Sequence, residues 1–312
     1  MYSHKPVLLE QVLQVLKPEP EQNFVDATLG GGGYTKAILQ ALKSQGKVLA
    51  LDLDLDAITN AQTQLAEFSS QLLVDHRNFR DLDKSIKKYD FQSIDGIVAD
   101  IGLSSYQLDN SGRGISFESH DRLDMRFDQS SSQPDASFLL NNWTEQELTQ
   151  IFNKFGEEKF SRLIAKGILA FRSEQKLETA DQLSQIIQQS LPKPVKHQWQ
   201  SSARRIFQAL RIEVNHELEN LEVFLPKALN LLKPGGILAV VTFHSLEDRI
   251  VKHFFKANSL SCVCPPEFPI CKCGQTPTVK ILTTKPVVAT EHELLENPRA
   301  RSAKMRAIQK LK

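Results

Sequence analysis

The chain has 312 residues, of which 41% are hydrophobic and 24% charged, with a formal net charge of +1. These values exclude a disordered or fibrous chain and supply a sizeable core for one large domain or two modest ones. A charge this close to zero points to no partner by itself, so any nucleic-acid surface has to be read from local clusters.

At the N-terminus Glu10 and Gln11 interrupt the apolar run of MYSHKPVLLEQVL, which argues against a secretory signal. The spacing predicts strands over 24–29 and 47–54, each followed by a helix (34–44 and 57–68), then strands over 72–79 and 94–102. Strands alternating with helices imply parallel βαβ units, and unbroken apolar strands such as IVADI suit burial on both faces. From 103 to about 137 the chain is polar and turn-rich. Helical periodicity follows through Leu148, Ile151, Phe152 and Phe155, then Phe160, Leu163, Ile164 and Ile168. Thr144–Glu147 and Thr179–Gln182 fit capping boxes and mark two helix starts. A long helix from about residue 202 is expected to break near Pro226, with a turn and strand over 233–243 and final strands over 281–288 and 302–310. The run 237–243, the most apolar, is too short to span a membrane. The expected architecture is α/β: a doubly wound Rossmann-like sheet, 1–107 with 214–312, interrupted by an all-helical insert, 108–213.

The segment FVDATLGGGGYT, residues 24–35, carries the first chemical signal. No G-x-x-x-x-G-K-[ST] loop exists, and G-x-G-x-x-G fails in both registers, which end on Thr35 and Lys36. Asp26, Gly30 and Gly32 fit D-x-x-x-G-x-G, the loop of S-adenosyl-L-methionine (SAM) enzymes. An acid ahead of the glycines repels pyrophosphate, whereas SAM has no phosphate and carries cationic sulfonium and ammonium groups. Asp52 ends the second strand, where an acid accepts both ribose hydroxyls; that feature alone also fits a nicotinamide cofactor. A purely structural glycine turn beside a surface acid is the plainer alternative.

Longer motifs go further. HKPVLLEQV, DATLGGGGYT, ALDLDLDAI, DGIVADIGLSSYQLD, RGISF, LDMRFD, FGEEKFSRLIAKGI, RRIFQALRIEVNHEL, FHSLEDRIVKHFF and ENPRARSAKMRAI follow one another along nearly the whole chain. In these the sequence resembles the small-subunit ribosomal RNA methyltransferase H family, also called MraW. The resemblance implies SAM-dependent methylation of a cytidine N4 in the decoding centre of 16S rRNA, on the small ribosomal subunit. It implies cofactor contacts from Gly32, Gly33, Tyr34, Asp52, Phe79, Asp100 and Gln107, and substrate recognition by the helical insert. Phe79 is expected to end the third strand and pack on adenine, although taken alone it reads as core. Gln107 alone reads as a solvated loop amide.

Other amino-methyltransferases carry [DNS]-P-P-[YFW] after the fourth strand; here the chain reads Asp100-Ile101-Gly102-Leu103. Asp100 is the expected catalytic acceptor of the amino proton, aided by the carbonyls of Ile101 to Ser104. His244 in FHSLEDR reads equally as a neighbour of the target base and as a helix cap. Arg113, Asp124 and Arg126 are expected to shape the target pocket from the loop entering the insert. No acid occurs between Asp181 and Glu213, while Lys193, Lys196, His197, Arg204, Arg205 and Arg211 do, with Trp199 among them. The tail after Glu296 holds Arg299, Arg301, Lys304, Arg306, Lys310 and Lys312 and no acid. Such runs fit phosphate contacts, or a solvated face.

All four cysteines fall in C-V-C and C-K-C pairs between Cys262 and Cys273. Their spacing is shorter than the C-x₂-C of zinc ribbons, so reduced loop thiols are expected rather than a metal site. The whole reads as a cytoplasmic RNA-modifying enzyme without a membrane segment, with a homodimer left open. The rivals are a methyltransferase of another substrate, a nicotinamide-dependent oxidoreductase, and an RNA-binding protein on a dead cofactor fold.

Overall fold

The computed structural model describes residues 6–103, 112–262, 264 and 272–312. Gln107, Ser104 and Cys271 lie outside them.

The chain enters through helix α1 (Leu9–Leu16) and then alternates β1 (Asn23–Asp26), α2 (Gly33–Leu42), β2 (Lys47–Asp52), α3 (Leu55–Gln64), β3 (Leu72–His76), α4 (Leu82–Lys88) and β4 (Ile94–Asp100). The third strand stops at His76, earlier than the apolar run predicts, because Asn78 caps a short 3-10 turn over Phe79–Asp81. Packing divides the chain into two units, Met1–Gly102 with Leu218–Lys312, and Leu103–Glu217.

The second unit contains α5 (Ala136–Asn142), α6 (Glu145–Lys154), α7 (Ser161–Arg172), α8 (Ala180–Ser190) and α9 (Trp199–Asn215). Both capping boxes are present, at the starts of α6 and α8. Its own core gathers Leu148, Phe152, Ile164, Ile168, Leu183, Ile187 and Leu210, and Leu103 packs against it. Glu217 is tied to Arg211 by two hydrogen bonds of 2.7 and 2.9 Å. Periodicity over 108–213 marks the regular helices; these flanking contacts extend the unit at both ends. Leu123 and Met125, within the polar loop, are fully buried anchors of this core.

The helical run ends at His216, which takes a left-handed φ of 51°, ten residues before the expected break. Pro226 instead lies inside α10 (Glu217–Leu231). After it come β5 (Leu232–Thr242), α11 (Ser245–Ser259), β6 (Val279–Ile281), α12 (Glu291–Glu296) and β7 (Lys304–Lys310). The expected strand over 281–288 shrinks to β6 and a single bridge from Val287 to Met305, since Pro286 has no N–H to donate.

The seven strands run in the order β3-β2-β1-β4-β5-β7-β6, with β7 antiparallel to both neighbours. Side chains alternate faces with a period of two. Phe24, Val48, Val98, Val241 and Met305 face one layer with α1 and α2, and Val25, Leu49, Ile97, Val240 and Ile308 face α10 and α11. Burial on both sides is why these strands are apolar throughout; each fully buried large side chain contributes about 1.5–3 kcal/mol. Among the described residues no helix is long and apolar enough to cross a membrane.

Candidate active site

The strand order reverses direction between β1 and β4, the crevice where open α/β sheets hold ligands at their carboxyl ends. Three strands end there on acids: Asp26 on β1, Asp52 on β2 and Asp100 on β4.

Asp26 is fully buried, and its carboxylate turns inward. It accepts from the Thr35 hydroxyl at 2.7 Å and from the Thr28 N–H at 3.2 Å, tying both ends of the glycine loop together. Burial pushes its pKa up to about 7 against those two bonds, with Asp100 and Asp52 adding repulsion. In the loop, Gly30 and Gly32 adopt positive φ of 50° and 76°. Among the described residues a Cβ on Gly30 meets nothing nearer than 3.9 Å, room that a ligand can use. On Gly33 it would sit 2.6 Å from the Pro6 ring; that glycine lets the N-terminal segment lie on the first turn of α2.

Asp52 accepts from Gly30 N–H at 2.7 Å and from Asp54 N–H at 2.9 Å, so the acid ending β2 and the glycine loop hold each other. A carboxylate has about four acceptor positions, which leaves some for hydroxyls. Asp100 donates its own N–H to the Thr28 hydroxyl (2.7 Å) and accepts from Gly102 N–H (3.1 Å) and the Tyr34 hydroxyl (3.1 Å). Both acids are half-buried, and desolvation of the carboxylate is the largest influence on each, raising both to about 6.

The Asp100–Gly102 segment runs beside β5: Ile101 N–H donates to Val241 O, and a Cβ on Gly102 would fall 2.4 Å from the Phe243 ring. The next residue, His244, caps α11 in a capping box with Glu247. Its Nδ1 accepts from the Glu247 N–H at 3.4 Å, which places the proton of a neutral ring on Nε2. Nε2 lies 3.0 Å from Glu247 Oε1 but off the line a hydrogen bond requires, and among the described residues neither buried atom has a hydrogen-bond partner. The Glu247 charge raises Asp100, so cap and acid belong to one electrostatic neighbourhood. His244 is therefore a helix cap whose Nε2 is buried beside the Glu247 carboxylate.

Phe79 sits in its 3-10 turn, half-buried, edge-on to Phe224 at 5.2 Å. The cationic residues sort differently from their sequence clusters. Arg113 is 3% exposed and donates to Phe127 O, holding the loop from within. Asp124 and Arg126 form a fork with each other at 2.7 and 2.8 Å. Arg205 pairs with Glu158, whose side chain is fully buried, at 2.6 Å. Arg306 is locked on Asp248, and Lys310 donates to the Asn230 and Leu232 carbonyls. Arg204, Lys193, Lys196, His197, Arg299 and Arg301 are exposed. Arg204 lies over the Phe117 ring, which is also edge-on to Trp199 and Phe207.

The three strand-end acids fit SAM. Among the described residues, none of the groups acting most strongly on them is cationic, so the crevice favours a sulfonium and an ammonium and disfavours pyrophosphate. Sheet order, glycine loop and acids together define a Rossmann-like methyltransferase that uses S-adenosyl-L-methionine. Residues 1–311 match the model of the MraW methylase family. The chain is 44% identical over 311 residues to the ribosomal RNA small subunit methyltransferase H of Syntrophotalea carbinolica, covering 100% of this chain and 99% of that one. Over 313 residues it is 46% identical to the protein of the same name from Heliobacterium modesticaldum, covering 100% of both. A solved rRNA methylase from Streptococcus thermophilus aligns over 99% of this chain and 98% of its own at 10% identity and a TM-score of 0.44, too low a likeness to add to the assignment. The chain belongs to the MraW methylase family.

Proposed function

We propose that the protein methylates the N4 amine of one cytidine in the decoding centre of 16S rRNA, acting on the small ribosomal subunit in the cytoplasm. The full-length likeness to relatives named for small-subunit rRNA supports the substrate. The observation that carries the chemistry is Asp100, a basic carboxylate at the carboxyl end of β4 in the sheet's crevice.

When bound, SAM supplies an electrophilic methyl group. A cytosine amine is a poor nucleophile because its lone pair is delocalised into the ring, so the enzyme has to align it and accept a proton. Asp100 accepts that proton. A carboxyl near 6 is mostly ionised at neutral pH and more basic than a solvated aspartate. His244 acts through its cap of α11, which fixes Glu247, whose charge bears on Asp100. Gly30 and Asp52 hold the methionine and ribose parts of the donor, with Asp26 supporting the loop. Gly32, Gly33 and Tyr34 shape the wall, and Phe79 borders the adenine. Gln107 is a further cofactor contact carried by the family resemblance alone. On the insert, exposed Arg204 with Lys193 and Lys196 contacts phosphate. Arg113 and Arg205 act in substrate binding only by holding that unit in shape.

The test is label transfer from methyl-labelled SAM to small subunits from cells lacking this protein and from cells containing it. About one methyl group per deficient subunit is expected, and almost none on the complete ones. Equal labelling of both would overturn it.

A further inference from the structure

We propose that Cys262, Cys264 and Cys273 form a structural zinc site between α11 and β6. Their sulfur atoms all lie within 4.8 Å of one another. The Sγ atoms of Cys262 and Cys273 are 3.8 Å apart. A tetrahedral zinc with Zn–S bonds of about 2.3 Å sets its sulfurs about 3.8 Å apart, whereas a disulfide draws them to about 2.05 Å.

The backbone around the sulfurs is arranged for thiolates. Cys264 N–H donates to Cys262 Sγ and Lys272 N–H to Cys264 Sγ, each at 3.4 Å. Such bonds favour the deprotonated sulfur and orient it toward a shared centre. Gly274, directly after Cys273, takes a φ of 62°, and among the described residues nothing lies within 4 Å of where its Cβ would be, which permits the turn behind that ligand. The short C-x-C spacing strains closure within one pair, and the third sulfur relieves it by arriving from the far end of the loop.

The loop also needs such a clamp. None of the described residues from 261 to 278 belongs to a hydrophobic core. The loop is pinned at its base, where the Gln275 side chain donates to Ala257 and Leu260 carbonyls and Thr278 N–H donates to Asn258 O. A segment too small for its own core is commonly held by metal, and binding free energy then becomes folding free energy. Cys262 and Cys273 are exposed. Three neighbouring surface thiols without an ion would be prone to oxidation. Binding releases the thiol protons to solvent and leaves a fourth coordination position for water or another side chain.

The test is metal analysis of protein purified under reducing conditions without a histidine tag, from zinc-supplemented growth. Roughly one zinc per chain is expected, falling below about a tenth in Cys262→Ser/Cys273→Ser. SAM affinity in that variant serves as the check of its fold. Should the variant not fold, cobalt exchanged into the wild-type protein decides: thiolate charge-transfer and tetrahedral d–d absorption support the site. A wild-type protein that carries no zinc and binds no cobalt overturns it. So does a mass two hydrogens low that marks a Cys262–Cys273 disulfide.

Discussion

The Tyr34 hydroxyl lies 3.1 Å from Asp100 Oδ2 and also within hydrogen-bond reach of the Val7 carbonyl, so one phenolic proton serves two acceptors. Burial and the Asp100 charge hold that hydroxyl well above its usual range, so it never competes as an anion. It is the side-chain bond that restrains Asp100, whose carboxyl stands near 6 because desolvation outweighs it. Methyl transfer at saturating SAM is therefore expected to fall below pH about 6, as Asp100 is protonated. Tyr34→Phe removes the restraint and moves that acidic limb to higher pH. A limb unmoved in Tyr34→Phe would separate Asp100 from the proton transfer.

Asp26 has the opposite bearing on stability. Its folded pKa of about 7 exceeds the ordinary 3.8, so the folded state holds the proton more tightly. Between those values stability falls as pH rises. Asp26→Asn keeps an acceptor for Thr28 N–H and a donor for the Thr35 hydroxyl. The ligand-free variant is expected to melt several degrees higher than wild type at pH 8 and about equally at pH 4. Scanning calorimetry at the two pH values checks this.

Asp52→Ala is expected to weaken SAM binding about 100-fold by titration calorimetry, the loss of two hydrogen bonds to a charged acceptor. Asp52→Asn retains an acceptor for Gly30 N–H and separates loop support from ribose recognition, with an intermediate loss expected.

Arg204 and Arg205, adjacent in sequence, are expected to behave differently. Arg204→Glu weakens binding to small-subunit RNA, most at low salt, and leaves the melting temperature within a degree or so. Arg205→Ala strands the buried Glu158 and destabilises the insert by about 3 kcal/mol. Binding and melting curves on both variants test the division.

What the sequence exposed and what it hid divide along contact distance. The glycine loop, the acids ending β1, β2 and β4 and both capping boxes are local patterns, each written within a few residues of spacing. Tyr34 with Asp100, Arg205 with Glu158 and Arg306 with Asp248 are 66, 47 and 58 residues apart. No charge count reveals that a cation in a basic run is already spent on a distant carboxylate. The end of β3 was hidden for a different reason: the apolar run continues through Phe79, while Asn78 caps a new turn ahead of it. His216 ends α9 in a left-handed conformation that its residue type does not announce.

Transfer to a cytosine amine, and to no other acceptor, is read from the identity of the methylated nucleoside. Deficient small subunits, treated with the protein and SAM, would be digested and their 16S rRNA nucleosides resolved by mass spectrometry against standards. N4-methylcytidine is expected at a single decoding-centre position and is absent with Asp100→Asn. Methyl label on C5 of cytosine or on a ribose 2′-oxygen would contradict it.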